Sequence, residues 1–217
     1  SIDSSGRVTK PQLPFFHAEA FTTSGITSQT GVLSFNSVIT NQGSHWNSSQ
    51  NRFEVPVGGV YQFNFNGFGS RVVGGGVMHT NDNQVILQKS TDGGSNYNVT
   101  KTSTSFLAYH KEDDTDTAFY YSTGGDLAQS TSFKSLVLGI GNANDEQCCG
   151  ELTLFNPSST TFVKHWLSHT PSHSYQSYIY DWWTAGYMNT TSAVNGIQFK
   201  MSSGNIDSGV IKMYGVS

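Results

Sequence analysis

The clearest pattern along the chain is an alternation of aromatic and amide side chains over residues 60–68. The aromatic positions are Tyr61, Phe63 and Phe65, and the amides between them are Gln62, Asn64 and Asn66. Successive side chains of a β-strand point to opposite faces of a sheet, and no helix produces a period of two. The pattern therefore predicts a strand with an aromatic inner face and a neutral polar outer face.

Short segments rich in β-branched and aromatic residues recur about every 10 to 15 residues. The predicted strands cover residues 15–21, 31–35, 38–40, 52–57, 60–68, 85–90, 105–110, 118–122, 133–140, 151–155, 161–167, 175–180, 193–201 and 210–216. The apolar run 136–138 predicts burial on both faces, whereas the alternation over 197–201 is typical of a strand packed on one side. Short strands separated by glycine-rich turns favour an all-β, antiparallel, jelly-roll-like β-sandwich.

The chain is organised as a short polar lead-in followed by one long domain. Residues 1–12 are polar and end just past Pro11, so they are interpreted as a linker or the end of a stem. No second linker stands out after residue 12, and a β-sandwich can exceed 200 residues. We therefore predict a single sandwich domain over residues 13–217.

The composition argues against two classes of partner. Charged residues make up 12% of the chain, about half the usual share. The 11 Lys and Arg residues are not clustered and the net charge is −4, which argues against nucleic-acid binding. No apolar run approaches 18 residues, so membrane insertion is not expected.

The two cysteines, Cys148 and Cys149, are adjacent in sequence. Neighbouring cysteines cannot join distant segments, so a disulfide-built extracellular module is not expected. We interpret them as two small, partly buried thiols of a protein made in a reducing cytoplasm.

Residues 15–68, about a quarter of the chain, resemble the first half of a known type of globular head. Residues 41–47 read Asn-Gln-Gly-Ser-His-Trp-Asn and residues 53–61 read Phe-Glu-Val-Pro-Val-Gly-Gly-Val-Tyr, after an apolar segment at 32–35. These motifs are similar to those of complement-type heads, which belong to the tumour-necrosis-factor-like jelly rolls. The resemblance implies a homotrimer, often carried on a stalk, that binds partners rather than catalysing reactions.

Other segments resemble the C-terminal sandwich modules of bacteriophage tail fibres. They are residues 1–11, 90–97, 150–152, 156–158 and 201–215. This resemblance implies the receptor-binding tip of a tail fibre or spike, located in the virion and made in the host bacterial cytoplasm. Its expected partners are a host cell-surface glycan or outer-membrane protein, and other tail proteins through the N-terminus. No cofactor is expected. The alternatives are a polysaccharide depolymerase or esterase, and a structural fibre or decoration protein.

Six aromatic rings crowd a 13-residue stretch near the end of the chain: Tyr175, Tyr178, Tyr180, Trp182, Trp183 and Tyr187. Exposed rings stack on the C–H faces of sugars, and neighbouring amides and carboxylates bind their hydroxyls. The same rings could instead fill the core or line a trimer seam. Because adjacent residues of a strand point in opposite directions, Trp182 and Trp183 cannot both face the core, and the one that faces away is the better glycan-binding candidate. The receptor-binding candidates are Tyr178, Tyr180, Trp182 and Trp183.

Two further clusters contain residue types that can bind metal ions. Residues 111–116 contain several carboxylates that could contribute to a calcium site, but they lack the EF-hand pattern and favour a solvated loop. Residues His165, His169 and His173 would align on a helix, yet the segment favours a strand, which would separate them by about 13 Å per step. A metal site within one chain is therefore not predicted, and copies of one histidine meeting on a three-fold axis remain an alternative.

The sequence contains no recognised catalytic motif. There is no nucleophile elbow, no His-Glu-x-x-His and no P-loop. Asp181 and Glu151 are carboxylates of the kind that glycosidases use in pairs, although no pattern singles them out. We therefore predict no catalytic residues.

Overall fold

The computed structural model describes residues 15–21, 35, 37–54, 60–68, 70–71, 86–90, 99–140, 143, 145–201, 205–206 and 208–216. In chain order its strands are β1 (Phe15–Phe21), β2 (Ser37–Gln42), β3 (Trp46–Asn47), β4 (Arg52–Glu54), β5 (Val60–Phe68), β6 (Ser70–Arg71), β7 (Ile86–Ser90), β8 (Lys101–Lys111), β9 (Thr117–Tyr121), β10 (Leu127–Ser130), β11 (Lys134–Ser135), β12 (Cys148–Phe155), β13 (Lys164–His173), β14 (Tyr178–Met188), β15 (Gly196–Lys200), β16 (Asn205–Ile206) and β17 (Ser208–Val216). Helix in these residues is limited to one 3₁₀ turn, Thr123–Gly125. The predicted all-β, antiparallel class is confirmed.

Ten strands form one large antiparallel sheet. Its order is β10-β8-β14-β13-β12-β5-β17-β1-β2, and β9 pairs with β8 beside β10. Strand β17 lies between β1 and β5, where Met213 is opposite both Phe16 and Phe63. Directly opposite residues of antiparallel strands share a face, so these three side chains form a row on the inner face.

A second sheet, in the order β11-β7-β15-β4-β3, covers the inner face of β1 and β5. The contact is aromatic: the ring centroid of Phe53 on β4 lies 4.4 Å from Phe16 and 5.5 Å from Phe63. Phe199 on β15 lies 5.6 Å from Phe63, and all four rings are buried. Each ring buries about 150–250 Å². This cluster holds the two sheets together as the predicted jelly-roll sandwich.

Strand β5 has the bounds and the faces that the sequence predicts. Tyr61, Phe63 and Phe65 are buried, whereas Gln62 and Asn64 are partly exposed on the other face. The strand pairs with β12 on one side and β17 on the other. The period-two pattern therefore identifies a central strand correctly.

Beyond β12 the large sheet continues through strands that come from two separate parts of the chain. Strands β12, β13 and β14 pair in sequence order. Strand β14 then pairs with β8 over all 11 residues of both strands, from Tyr178 opposite Lys111 to Met188 opposite Lys101. This pairing places the end of the β8–β9 turn beside the start of β14.

Two of the predicted strands have clearly wrong bounds. The strand predicted at 161–167 is Lys164–His173, and the one predicted at 175–180 is Tyr178–Met188. Both run further because each is a central strand with partners on its two sides, which extends pairing past local propensity. Strand β13 continues through Pro171. On either side of this proline, Ser172 pairs with Cys148 of β12 and His169 pairs with Glu151.

The predicted strand over 133–140 is largely absent. Only Lys134–Ser135 pairs as a strand, and Ile140 forms an isolated bridge to Ser174. Gly139 has a φ of +76°, a left-handed conformation that ends extended structure and favours glycine. Leu136 and Val137 are nevertheless fully buried and Leu138 is partly buried, so the apolar run predicts burial correctly for its first two residues and strand pairing incorrectly.

The expectation that 197–201 packs on one side only is also wrong. Gln198 is buried, and its Nε2 donates a hydrogen bond to the Gln50 carbonyl at 3.1 Å. This bond satisfies an amide that the sequence pattern places on the solvent face.

Several predictions lie outside the described residues. They are the linker at 1–12, residues 31–34 of the strand predicted at 31–35, and residues 55–57 of the strand predicted at 52–57. The assignment of residues 13–217 to one domain stays a prediction.

Candidate functional site

Strand β14 carries aromatic residues on both of its faces. Trp182 is 5% exposed and faces the interior, whereas Trp183 is 43% exposed on the outer face. Their neighbours on β8 follow the same alternation, because Leu107 is opposite Trp182 and Phe106 is opposite Trp183. The prediction that one of the two tryptophans faces away from the core is confirmed.

On the inner side, the start of β14 borders a cleft of about 450 Å³, here called the aromatic cleft. It is lined by Leu107, Tyr109, Asp116, Tyr120, Ser122, Leu138, Gly139, Tyr175, Gln176, Tyr178, Tyr180 and Trp182. Three of the four receptor-binding candidates, Tyr178, Tyr180 and Trp182, thus line one cavity. Trp183 does not line it.

The rings of the aromatic cleft are held against one another. Tyr178 and Tyr180 lie on the same side of β14, with centroids 5.6 Å apart and planes within 4° of parallel. Tyr109 on β8 meets both rings edge-on, at 5.6 Å from Tyr178 and 6.0 Å from Tyr180. Trp182 continues the series at 6.2 Å from Tyr180. The packing fixes the ring orientations before any ligand is bound.

One carboxylate completes the aromatic cleft. The Tyr178 hydroxyl donates a hydrogen bond to Asp116 Oδ2 at 3.0 Å. This bond, together with the negative charge, raises the pKa of Tyr178 to about 12, and burial raises the pKa of Tyr180. Both phenols are therefore uncharged at neutral pH, so they present neutral rings and hydroxyl groups.

On the outer side, three stacked rings form a surface here called the outward platform: Phe106, His169 and Trp183. The His169 and Trp183 centroids are 3.9 Å apart, and Phe106 lies 6.5 Å from Trp183 with nearly parallel planes. Asp181 joins two of them, because its Oδ1 lies 2.5 Å from His169 Nε2 and its Oδ2 accepts a 3.0 Å bond from Trp183 Nε1. A depression of about 280 Å³ adjoins the platform, with Glu151 in its wall.

Residues 15–136, more than half of the 217, match the model of the C1q domain. The chain belongs to the C1q domain family. The resemblance to complement-type, tumour-necrosis-factor-like jelly rolls is thereby confirmed. No curated protein matches the chain significantly.

C1q domains are recognition domains that bind ligands, commonly as homotrimers, and they are typically not enzymes. The aromatic cleft draws on both parts of this chain. Tyr109, Asp116 and Tyr120 fall within the matched residues, whereas Tyr178, Tyr180 and Trp182 lie after them. The cleft therefore forms where strands β8 and β9 of the matched segment meet β14.

Sequence reasoning missed Tyr109 and Tyr120, and it placed Asp116 in an acidic loop. That loop is exposed as expected, and Lys111 Nζ contacts Asp113 Oδ2 there at 2.8 Å. The alternation of Leu107 with Tyr109 along β8 was a usable signal for an inward ring. Nothing local to residue 116 indicates that its carboxylate reaches Tyr178, 62 residues away.

Three fully buried lysines, Lys101, Lys134 and Lys164, were also missed. Each ammonium donates to backbone carbonyls, as Lys164 does to Phe162 at 2.8 Å. Lys134 donates to Ser105 Oγ and to the Gly125 carbonyl, and so fixes the 3₁₀ turn that follows Ser122 at the cleft. Burial lowers the pKa of Lys101 and of Lys134 to about 8.

The histidines of β13 lie on its outer face, as strand spacing requires. His173 Nε2 lies 3.0 Å from Glu112 Oε1, and the His165 ring is 6.1 Å from that of Tyr187. In the described part of the chain, no three His, Cys, Asp or Glu residues are grouped to hold a metal ion.

The cysteines are both free thiols. Cys148 is buried, which raises its pKa, and Cys149 is exposed. Within the described residues, no helix is long and apolar enough to cross a membrane.

Proposed function

We propose that this C1q domain is the receptor-binding tip of a bacteriophage tail fibre or spike. It attaches the virion to a glycan or protein of the host surface without catalysing a reaction. The observation that carries the proposal is the aromatic cleft, which combines parallel tyrosine rings with a carboxylate and an amide in about 450 Å³. Recognition is the general role of C1q domains.

The chemistry of the cleft suits a sugar better than an apolar ligand. Tyr178 and Tyr180 offer ring faces on which sugar C–H groups can stack. Asp116 and Gln176 offer a carboxylate and an amide to the hydroxyls of the same ligand. A pocket with apolar walls and a few convergent polar groups is the usual form of a small-ligand site.

The phage part of the proposal is supported by the tail-fibre resemblance of residues 1–11 and 201–215. A homotrimer would present three clefts on one tip, and several tips on one virion multiply the attachment. Linked weak sites can gain about 10²–10⁴ in avidity without any new contact. Residues 1–12 would connect the tip to other tail proteins.

Competition for adsorption tests the proposal. The free domain should block attachment of a phage that carries it, and Tyr180→Ala should lose this effect while Trp183→Ala keeps it. Native mass spectrometry should give three times 23.6 kDa. If the wild-type domain leaves adsorption unchanged, the chain is better described as a structural connector.

The outward platform favours a second candidate, a host-polysaccharide depolymerase. Asp181 contacts His169 there, and Glu151 lies opposite His169 on the neighbouring strand β12. Paired carboxylates are the groups that cleave glycosidic bonds. Incubation with host capsule should release new reducing ends, and Glu151→Gln should abolish them, if this candidate is correct.

A further inference from the structure

The charge of the aromatic cleft has a single sign. Among the described residues that line it, Asp116 alone carries a formal charge at neutral pH. The remaining polar groups are neutral: the tyrosine hydroxyls, Ser122 and Gln176. Among these lining residues, an anionic ligand would therefore meet a like charge, whereas a cation would meet a carboxylate.

The ring faces act in the same direction. The π-face of a tyrosine or tryptophan attracts a cation within about 6 Å of its centroid. Lys111 Nζ already lies 6.0 Å from the Tyr178 centroid, although it is held at the rim by Asp113. The rings of Tyr109, Tyr178, Tyr180 and Trp182 all line the cleft.

Asp116 can bind a ligand while it keeps its hydrogen bond from Tyr178. An ionised carboxylate has about four lone-pair sites, and the Tyr178 hydroxyl occupies one of them. Asp116 is exposed at the rim, so an incoming group reaches it from solvent. A cation seated between the rings would thus gain an ion pair and cation–π contacts together.

From this geometry we propose that the aromatic cleft selects ligands carrying an ammonium group. Two sources share this chemistry, the primary ammonium of an unacetylated amino sugar and a trimethylammonium group. This inference rests on the proposed function in taking the cleft as the receptor site. What it adds is that the ligand carries a positive charge.

The test compares a β-linked glucosamine tetrasaccharide with its fully N-acetylated counterpart and with choline chloride. Binding to the whole chain is measured by calorimetry at pH 5.5, where the amines are charged. We expect the free-amine sugar to bind at least about fivefold more tightly than the acetylated one. Binding of choline in its place would assign the site to methylated ammonium groups.

Two variants locate the effect. Asp116→Asn should remove most of the preference for the charged ligand while leaving the melting temperature near that of the wild type. Lys111→Met should strengthen binding of the charged ligand modestly at low salt, because it removes a competing cation. Equal affinity for the two sugars, an Asp116→Asn variant with unchanged preference, or no binding of any probe would overturn the inference.

The adsorption assay separates this inference from the proposed function. If Tyr180→Ala loses competition and Asp116→Asn retains it in full, the attachment role stands and the ammonium selectivity is overturned. If Tyr180→Ala competes like the wild type, the cleft is not the receptor site. Ammonium selectivity in calorimetry would then still stand as a property of the cleft.

Discussion

The two faces of β14 carry similar residues and have different chemistry. On the inner face, Tyr178, Tyr180 and Trp182 surround a concave cleft in which Asp116 has one tyrosine partner. On the outer face, Trp183 lies in a flat stack, and the nearby carboxylate of Asp181 already contacts His169 and Trp183.

The difference shows that ring content alone does not identify a binding site. The outer rings are exposed, but their carboxylate already has two partners from the same surface. The inner rings enclose space and leave hydrogen-bonding capacity for a ligand. The larger cavity, about 450 Å³ against about 280 Å³, and the spare polar groups therefore favour the cleft over the platform.

The largest expected difference between the faces is in stability. Trp182→Ala should lower the free energy of unfolding by about 3–5 kcal/mol, since it removes a buried indole and leaves a cavity. Trp183→Ala should cost about 1 kcal/mol or less, because the side chain is 43% exposed. Urea denaturation of both variants measures the difference, and equal losses would contradict the assigned faces.

The inner face also contains buried charge, which gives a pH effect. Burial lowers the pKa of Lys134 to about 8, while the unfolded chain keeps this proton up to about 10.5. Between these values the unfolded state binds more protons, so the free energy of unfolding should rise with pH, by about 1–3 kcal/mol for Lys134. Below pH 8 both states are protonated and this contribution has no slope.

The comparison with Lys134→Met isolates that effect. Burial raises the pKa of Cys148, which lowers stability as pH rises and opposes the lysine. Both proteins share the cysteine. The unfolding free energy of the wild type minus that of the variant should therefore increase from pH 8 to 10. A difference that is constant over this range would contradict a depressed lysine pKa.

The two faces should also differ in ligand affinity, by a smaller free energy than in stability. Tyr180→Ala should weaken binding of the free-amine tetrasaccharide about tenfold or more, because it removes one of two parallel ring faces. Trp183→Ala is the matched control and should change the affinity less than twofold. Calorimetry measures both, and the reverse order would move the site to the outward platform.

The smallest expected effect comes from the outer carboxylate. Asp181→Asn should change stability by less than about 1 kcal/mol, because its partners are partly exposed. Affinity for the cleft ligand should stay as in the wild type. Chemical denaturation and calorimetry check the two statements, and weakened binding would show that the faces are coupled.

Local patterns predict faces in this chain better than they predict partners. The alternation of Tyr61, Phe63 and Phe65 gives both the bounds and the inner face of β5, and adjacency alone separates Trp182 from Trp183. The pairing of β14 with β8 joins segments far apart in sequence, which no periodicity encodes. The position of Asp116 beside Tyr178 depends on that pairing.

The buried lysines show a second limit. Lys101 and Lys164 occupy positions of β8 and β13 whose side chains point inward, although lysine is usually found at the surface. Their burial depends on carbonyls from distant turns, such as Thr131 for Lys101 and Thr191 for Lys164. Such partners become visible only in three dimensions.

The central place of β17 has a consequence for biosynthesis. Residues 208–216 form β17, which lies between β1 and β5. Until these residues are translated, both β1 and β5 lack this partner strand. Sheets that depend on such distant partners form slowly and expose unpaired edges meanwhile. We therefore expect β1 and β5 to enter the finished sheet only after residues 208–216 have been made, and to need protection from aggregation until then.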